Sequence, residues 1–191
     1  RAQVCKYDDM PASFGILGGT FDPPHAGHVA AATAAWRQLT LESVRIIPAG
    51  LAPLRAALPL ASAEDRLAMT RLAFEPCPWA VIDDREVRRE GVCWSVDTAR
   101  ELAKEFPQER RIWIIGADQL ARLDRWKDVE ELGRYVEFAV FSGAPLKSNN
   151  SSYMQRTRDL QSKGVLTIYE DLEKNDYYNL LNDSRVLFNC A

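Results

Sequence analysis

The sequence predicts an α/β fold in which a parallel sheet is covered by helices on both faces. Three observations lead there. Short apolar runs alternate with longer, breaker-poor stretches, the order expected when each parallel strand returns through a helix. The first apolar run ends in a glycine pair and leads directly into an alanine-rich stretch, a strand-to-helix turn. The chain has 191 residues, 47% hydrophobic and 27% charged, enough for one well-cored domain of ordinary globular composition.

Each element follows from its residues. Phe14–Gly18 (FGILG) is a short apolar run that suits a buried strand. Ala26–Leu39 (AGHVAAATAAWRQL) is rich in alanine, free of breakers after Gly27, and long enough for a helix. Val44–Pro48 (VRIIP) reads as a second strand. Ser62–Phe74 opens with a serine and carries an acid three residues on, close to a capping box, with Leu67 and Leu72 at helical spacing. Trp79–Asp83 is a brief strand, and Ser95–Phe106 reads as another capped helix. Arg111–Gly116 (RIWIIG) is a strand, a helical stretch runs on to Leu132, and Val136–Phe141 (VEFAVF) is a further strand. Beyond it, Gly164–Tyr169 reads as a strand, Tyr177–Asn182 as a helix and Arg185–Asn189 as a short strand.

Composition changes near Lys147. None of the six asparagines precedes Asn149, and after Ala144 the only alanine is Ala191. The expected organisation is a domain over residues 1–146 and a C-terminal segment over 147–191, packed on that same domain. The segment is either a polar subdomain or a piece of different origin.

Several function classes are disfavoured at once. A net charge of −3 gives no global basic character for nucleic acid. No apolar run approaches the ~20 residues of a membrane span. The first residues, RAQVCKYDDMPAS, hold no apolar signal core, and residue 1 is Arg, consistent with a missing or processed start. Cys5, Cys77, Cys93 and Cys190 are scattered without a CxxC spacing, which fits free thiols in a reducing cytoplasm.

The chemistry concentrates in GGTFDPPHAGH, Gly18 to His28, which holds both histidines of the chain. A glycine-rich turn between a strand and a helix is a phosphate site in the making. Gly18 and Gly19 are expected to adopt conformations closed to other residues and to let a ligand approach the backbone. The helix start near Ala26 offers N–H groups without intrahelical partners, at the positive end of the dipole. His25 and His28, three apart, project from one side of the first turn and can donate hydrogen bonds to phosphate oxygens. A helix dipole contributes about 0.3–2 kcal/mol. Enzymes must remove ~8 kcal/mol or more of barrier. The site therefore needs both histidines, further Lys or Arg cations and Mg²⁺. Two readings compete: a structural metal on the histidine pair, although no cysteine or third histidine is near and Asp22 is the only close acid, and capping or surface histidines without a role, against which the spacing after two glycines speaks.

These residues resemble the signature of the HxGH nucleotidyltransferases, and most closely the nicotinate-nucleotide adenylyltransferases. IIPAGLAPLR, Ile46 to Arg55, is similar to the family's second strand and following loop, although Leu54 and Arg55 follow Pro53 where the family carries His-Lys. DREVRREGVCWSVDT, Asp84 to Thr98, resembles the family's Asp-x-Arg-Glu to Asp-Thr segment, with Cys93, Trp94 and Ser95 in the Ser-Tyr-Thr places. IIGADQLARLDRW, Ile114 to Trp126, is similar to its Gly-x-Asp segment and downstream tryptophan. The agreement runs from Phe14 to about Pro145.

The resemblance implies a Rossmann-like fold and adenylyl transfer from ATP to nicotinate mononucleotide, assisted by Mg²⁺ and without a covalent intermediate. It implies that His25 and His28 hold the ATP phosphates and stabilise the transition state. Gly18, Gly19, Thr20 and Phe21 would supply backbone contacts, and Gly116 and Asp118 would meet the adenosine. Trp94, Ser95 and Trp126 would form the pyridine pocket, with ordinary core packing as the alternative for the two tryptophans. Arg55 would stand in for the missing lysine, although the two cations are not equivalent at a phosphate.

The family's closing motif is matched only by SSYMQR, Ser151 to Arg156, which comes early and with Tyr153 and Gln155 in place of Thr and Ile. The last stretch, YYNLLNDSRVLFNCA, faintly resembles part of the nucleotide-binding half of some glycosyltransferases. Two rivals stay open: another HxGH enzyme, such as a pantetheine-phosphate adenylyltransferase or a cytidylyltransferase, and a binding protein that keeps the ATP cradle without turnover.

Overall fold

The computed structural model describes residues 12–53, 58–120, 122–141, 158, 161–162 and 168–169, with the backbone alone at 117, 118, 168 and 169. Arg55, Ser151–Arg156, and the helix and strand expected over Tyr177–Asn182 and Arg185–Asn189 lie outside them.

Six strands form one sheet: β1 (Ser13–Gly19), β2 (Ser43–Pro48), β3 (Ala80–Ile82), β4 (Arg110–Gly116), β5 (Glu137–Phe141) and β6 (Ile168–Tyr169). Their spatial order is β3-β2-β1-β4-β5-β6, and every paired neighbour is parallel. The chain first winds outward from β1 through β2 to β3, then crosses to β4 and winds the other way. This reversal between β1 and β4 opens a crevice beyond their C-terminal ends, where ligands bind in doubly wound sheets.

Alternation along the strands builds a core on each face. Phe14, Ile16, Ile47, Trp113, Ile115, Phe138 and Val140 pack on one side against α4 (Ser95–Glu105) and α6 (Val129–Tyr135), through Val96, Ala99, Leu102 and Leu132. Leu17, Val44, Ile46, Ile112, Ile114 and Ala139 pack on the other, against Val29, Ala32 and Ala35 of α1 (Ala26–Gln38) and Phe74 of α2 (Ala63–Phe74). Small side chains let α1 lie close to the sheet. Gly15 instead makes room for its sheet neighbours, since a Cβ would come within 3.0 Å of the Ile114 and Leu41 side chains.

Three local expectations are corrected. Ser95 does not cap its helix: it is the first helical residue, and Trp94 stands at the N-cap, its carbonyl accepting from Asp97 and Thr98 N–H at 3.0 and 3.2 Å. Leu72 is not core; it is 66% exposed, while Leu67 and Phe74 carry the buried side of α2. The helical stretch after Gly116 is broken into α5 (Ala117–Leu120), a 3-10 turn (Leu123–Arg125) and α6, the last set apart by Asp128, which takes left-handed backbone (φ 49°) just before it. The Ser62 cap is as expected: its Oγ accepts from Asp65 N–H at 3.0 Å and donates to Asp65 Oδ2 at 2.9 Å.

Candidate active site

The residues GGTFDPPHAGH carry the chain from the C-terminal end of β1 into α1, at the crevice of the sheet. His25 is the N-cap of α1, and His28 follows one turn later. Their rings stack with centroids 3.8 Å apart. His25 N–H donates to His28 Nδ1 at 3.1 Å, and His28 N–H donates to the His25 carbonyl at 2.9 Å. Because His28 Nδ1 accepts, its proton sits on Nε2, which makes that nitrogen a donor. Burial in the cleft wall, with a smaller contribution from neighbouring His25, pulls His28 down to about 4. At neutral pH His28 is therefore an uncharged hydrogen-bond donor, and its contribution is dipolar rather than cationic.

The glycine pair works differently from the sequence expectation. Gly18 and Gly19 lie in extended β1, and among the described glycines only Gly91 has positive φ. What Gly19 supplies is close approach, since a Cβ there would stand 3.1 Å from the Phe21 ring. The left-handed residue of the turn is Phe21 itself, at φ 50°. Its side chain is buried at 2% exposure and meets His28 edge-on at 4.9 Å. Beyond the backbone contacts expected of it, Phe21 thus seats the histidine ring.

Two adjoining clefts open from this point. One, of about 690 Å³, is lined by Gly18–Thr20, His25, Gly27, His28 and Gly116. The other, of about 560 Å³, is lined by Trp94, Ser95, Trp126, Cys93 and Glu86. Gly18, Gly19, Thr20, Trp113, Gln119 and Trp126 line both, so the end of β1 is their common wall. Trp94 and Trp126 serve as wall and as packing together: both are half-buried against the core, Trp126 edge-on to Trp113 at 6.2 Å. Asp118 lies in α5 beside Gly116, with its backbone alone described, and Arg55 lies outside the described residues.

Sequence reasoning missed several wall residues. Arg122, Arg125 and Lys127 line the second cleft, and Lys127 Nζ stands 5.3 Å from the Trp94 ring centroid. Their signal in the sequence is three cations within six residues, at the end of the Ile114–Trp126 segment and just past it. Glu86, within the Asp84–Thr98 segment, is a further wall residue. It is 8% exposed, and burial raises its carboxyl above the usual range against the lowering effect of the Thr98 hydroxyl, which donates to it at 2.6 Å. Among the described residues, no group of three or more His, Cys, Asp or Glu side chains is arranged to hold a metal.

Residues 16–174 match the family model described as cytidylyltransferase-like, a span reaching beyond the Phe14–Pro145 motifs. The "Probable nicotinate-nucleotide adenylyltransferase" of Opitutus terrae is 43% identical over 136 residues, 70% of this chain and 70% of that protein. The protein of the same name from Rhodopirellula baltica is 44% identical over 128 residues, 67% of this chain and 60% of that one. The chain thus spans 60–70% of the length of these two curated relatives. Among solved structures, Plasmodium falciparum nicotinic acid mononucleotide adenylyltransferase complexed with APC superposes with a TM-score of 0.63 at 14% identity, covering 87% of this chain and 79% of that one. That likeness is one of fold. By the family model and by its curated relatives, the chain belongs to the cytidylyltransferase-like family, among the nicotinate-nucleotide adenylyltransferases.

Proposed function

We propose that this chain transfers the adenylyl group of ATP to nicotinate mononucleotide, releasing pyrophosphate and forming deamido-NAD for NAD biosynthesis. The observation that carries the reading is the shared wall of the two clefts, Gly18 to Thr20. ATP lies in the histidine cleft, with His25 and His28 on its phosphates, Gly18, Gly19, Thr20 and Phe21 along them, and Gly116 and Asp118 toward the adenosine. The mononucleotide lies in the tryptophan cleft against Trp94, Ser95 and Trp126, with its phosphate toward the wall; Arg55 is the cation that the resemblance assigns to this substrate.

In that arrangement an oxygen of the acceptor phosphate forms a bond to the α-phosphorus, and the bond to the β-bridging oxygen breaks. The electron pair leaves with pyrophosphate, and an ionised acceptor phosphate needs no general base. His28 Nε2–H donates to the oxygens on which charge grows, a contact whose loss costs about 10²–10³ in rate at comparable sites. Arg122, Arg125 and Lys127, which line the tryptophan cleft, supply cations on the acceptor side of the reaction. Mg²⁺ brought with ATP would offset phosphate charge as it builds. The free thiols at Cys77 and Cys93 fit a cytoplasmic location.

The test is product analysis with ATP, Mg²⁺ and nicotinate mononucleotide. Deamido-NAD and pyrophosphate in equal amounts are expected. A second reading, ATP binding without turnover, rests on the imperfect closing motif Ser151–Arg156. ATP binding with no deamido-NAD formed would establish it. Formation of dephospho-coenzyme A from phosphopantetheine instead would move the chain to another branch of the superfamily.

A further inference from the structure

Arg66 lies on α2, outside the segments that carry the family resemblance, and is 2% exposed. Burying a guanidinium is costly unless its donors are used. Arg66 Nη1 donates to the Thr20 carbonyl at 2.7 Å, and Nη2 donates to the Gly50 carbonyl at 3.3 Å. Thr20 belongs to the wall between the clefts. Gly50 lies between Ala49 and Ala52, which line the tryptophan cleft. One planar, two-pronged donor therefore holds the loop after β1 and the loop after β2 in one fixed relation.

Other contacts fix the same junction. Ala49 N–H donates to the Gly19 carbonyl at 2.8 Å. The Asp22 carboxylate accepts from Leu60 and Ala61 N–H at 2.7 and 3.2 Å, tying the histidine turn to the entry of α2. Gly50 itself cannot shift toward α3 (Arg85–Arg88), because even a Cβ there would collide with the Glu86 carbonyl. With Gly50 braced from one side, Arg66 transmits its position to Thr20.

We infer that Arg66 is a positioning residue that sets the ATP loop and the acceptor loop relative to each other. It lines neither cleft. Its effect is on the approach of the acceptor phosphate to the α-phosphorus, a distance on which rate depends steeply. The inference rests on the two-substrate reading above. Lysine keeps the charge but, as a single ammonium, cannot present a guanidinium's fork. Arg66→Lys should bind ATP alone, and nicotinate mononucleotide alone, within about twofold of the parent. Its kcat per folded molecule should fall about 10- to 100-fold.

The second measurement uses the unmodified chain and does not depend on the variant folding. Hydrogen exchange is followed with α,β-methylene ATP as the only ligand. Protection is expected at residues 18–28 and also at 49–53, across the Arg66 link. Protection confined to 18–28, or an Arg66→Lys variant with kcat within twofold of the parent, overturns the inference. Loss of ATP binding in parallel with rate in that variant also overturns it, since Arg66 would then build the ATP site alone. No protection anywhere refutes the functional reading itself, and the inference falls with it.

Discussion

Lowering the pH should show that the His28 ring resists protonation. Its titration falls from 6.5 to about 4, first because burial in the cleft wall disfavours the cation and second because His25 lies against it. Such a shift corresponds to about 3 kcal/mol in full. Part of the ring faces the cleft and is screened by water, which reduces the recoverable amount to about 1–2 kcal/mol. The folded value lies below the unfolded one, so the unfolded chain binds the extra proton between them. This contribution is complete above pH 6.5 and is lost as pH falls from 6.5 toward about 4. The sequence contains two histidines, so NMR of labelled imidazoles gives two resolvable titrations. His28 should retain the Nε2–H tautomer and stay neutral at pH 5.5. A His28 midpoint near 6.5, or a proton on Nδ1 at neutral pH, would refute the reasoning from the 3.1 Å bond to His25 N–H.

Three further outcomes can be checked. Gly19→Ala places a methyl 3.1 Å from the Phe21 ring and should cost about 1–3 kcal/mol by overpacking, read as a lower denaturation midpoint, with slower turnover because Phe21 seats His28. Trp94→Ala should raise the KM for nicotinate mononucleotide roughly tenfold while leaving that for ATP near the parent, because Trp94 lines the tryptophan cleft and not the histidine cleft, with Trp94→Phe partly restoring it; steady-state kinetics with each substrate varied decides this. Leu132→Ala should destabilise by about 2–5 kcal/mol because Leu132 is fully buried, whereas Leu72→Gln on the open face of α2 should change stability by less than about 0.5 kcal/mol; urea melts compare the two.

The elements legible in the sequence were those specified by local pattern. The apolar runs of β1, β2, β4 and β5, and the Ser62 start of α2, need only neighbours in sequence to be recognised. The histidine turn was legible because residue type and context agree on phosphate chemistry. What escaped depends on contacts between distant segments. Leu72 obeys helical spacing yet faces out, because the sheet covers only one side of α2. Gly19 looks like a conformational glycine, but the tight spot is made by the Phe21 ring folding back on it. Arg66 looks like any helical surface cation until two loops, 46 and 16 residues away in the chain, bring their carbonyls to it.

The most direct measurement is pyrophosphate release by the full chain with ATP, Mg²⁺ and nicotinate mononucleotide, with His28→Ala alongside. The shared wall and the neutral His28 donor predict release in the parent and a loss of about 10²–10³ in rate in the variant. Release that survives His28→Ala unchanged, or its absence from a parent that binds both substrates, would contradict catalysis at this site.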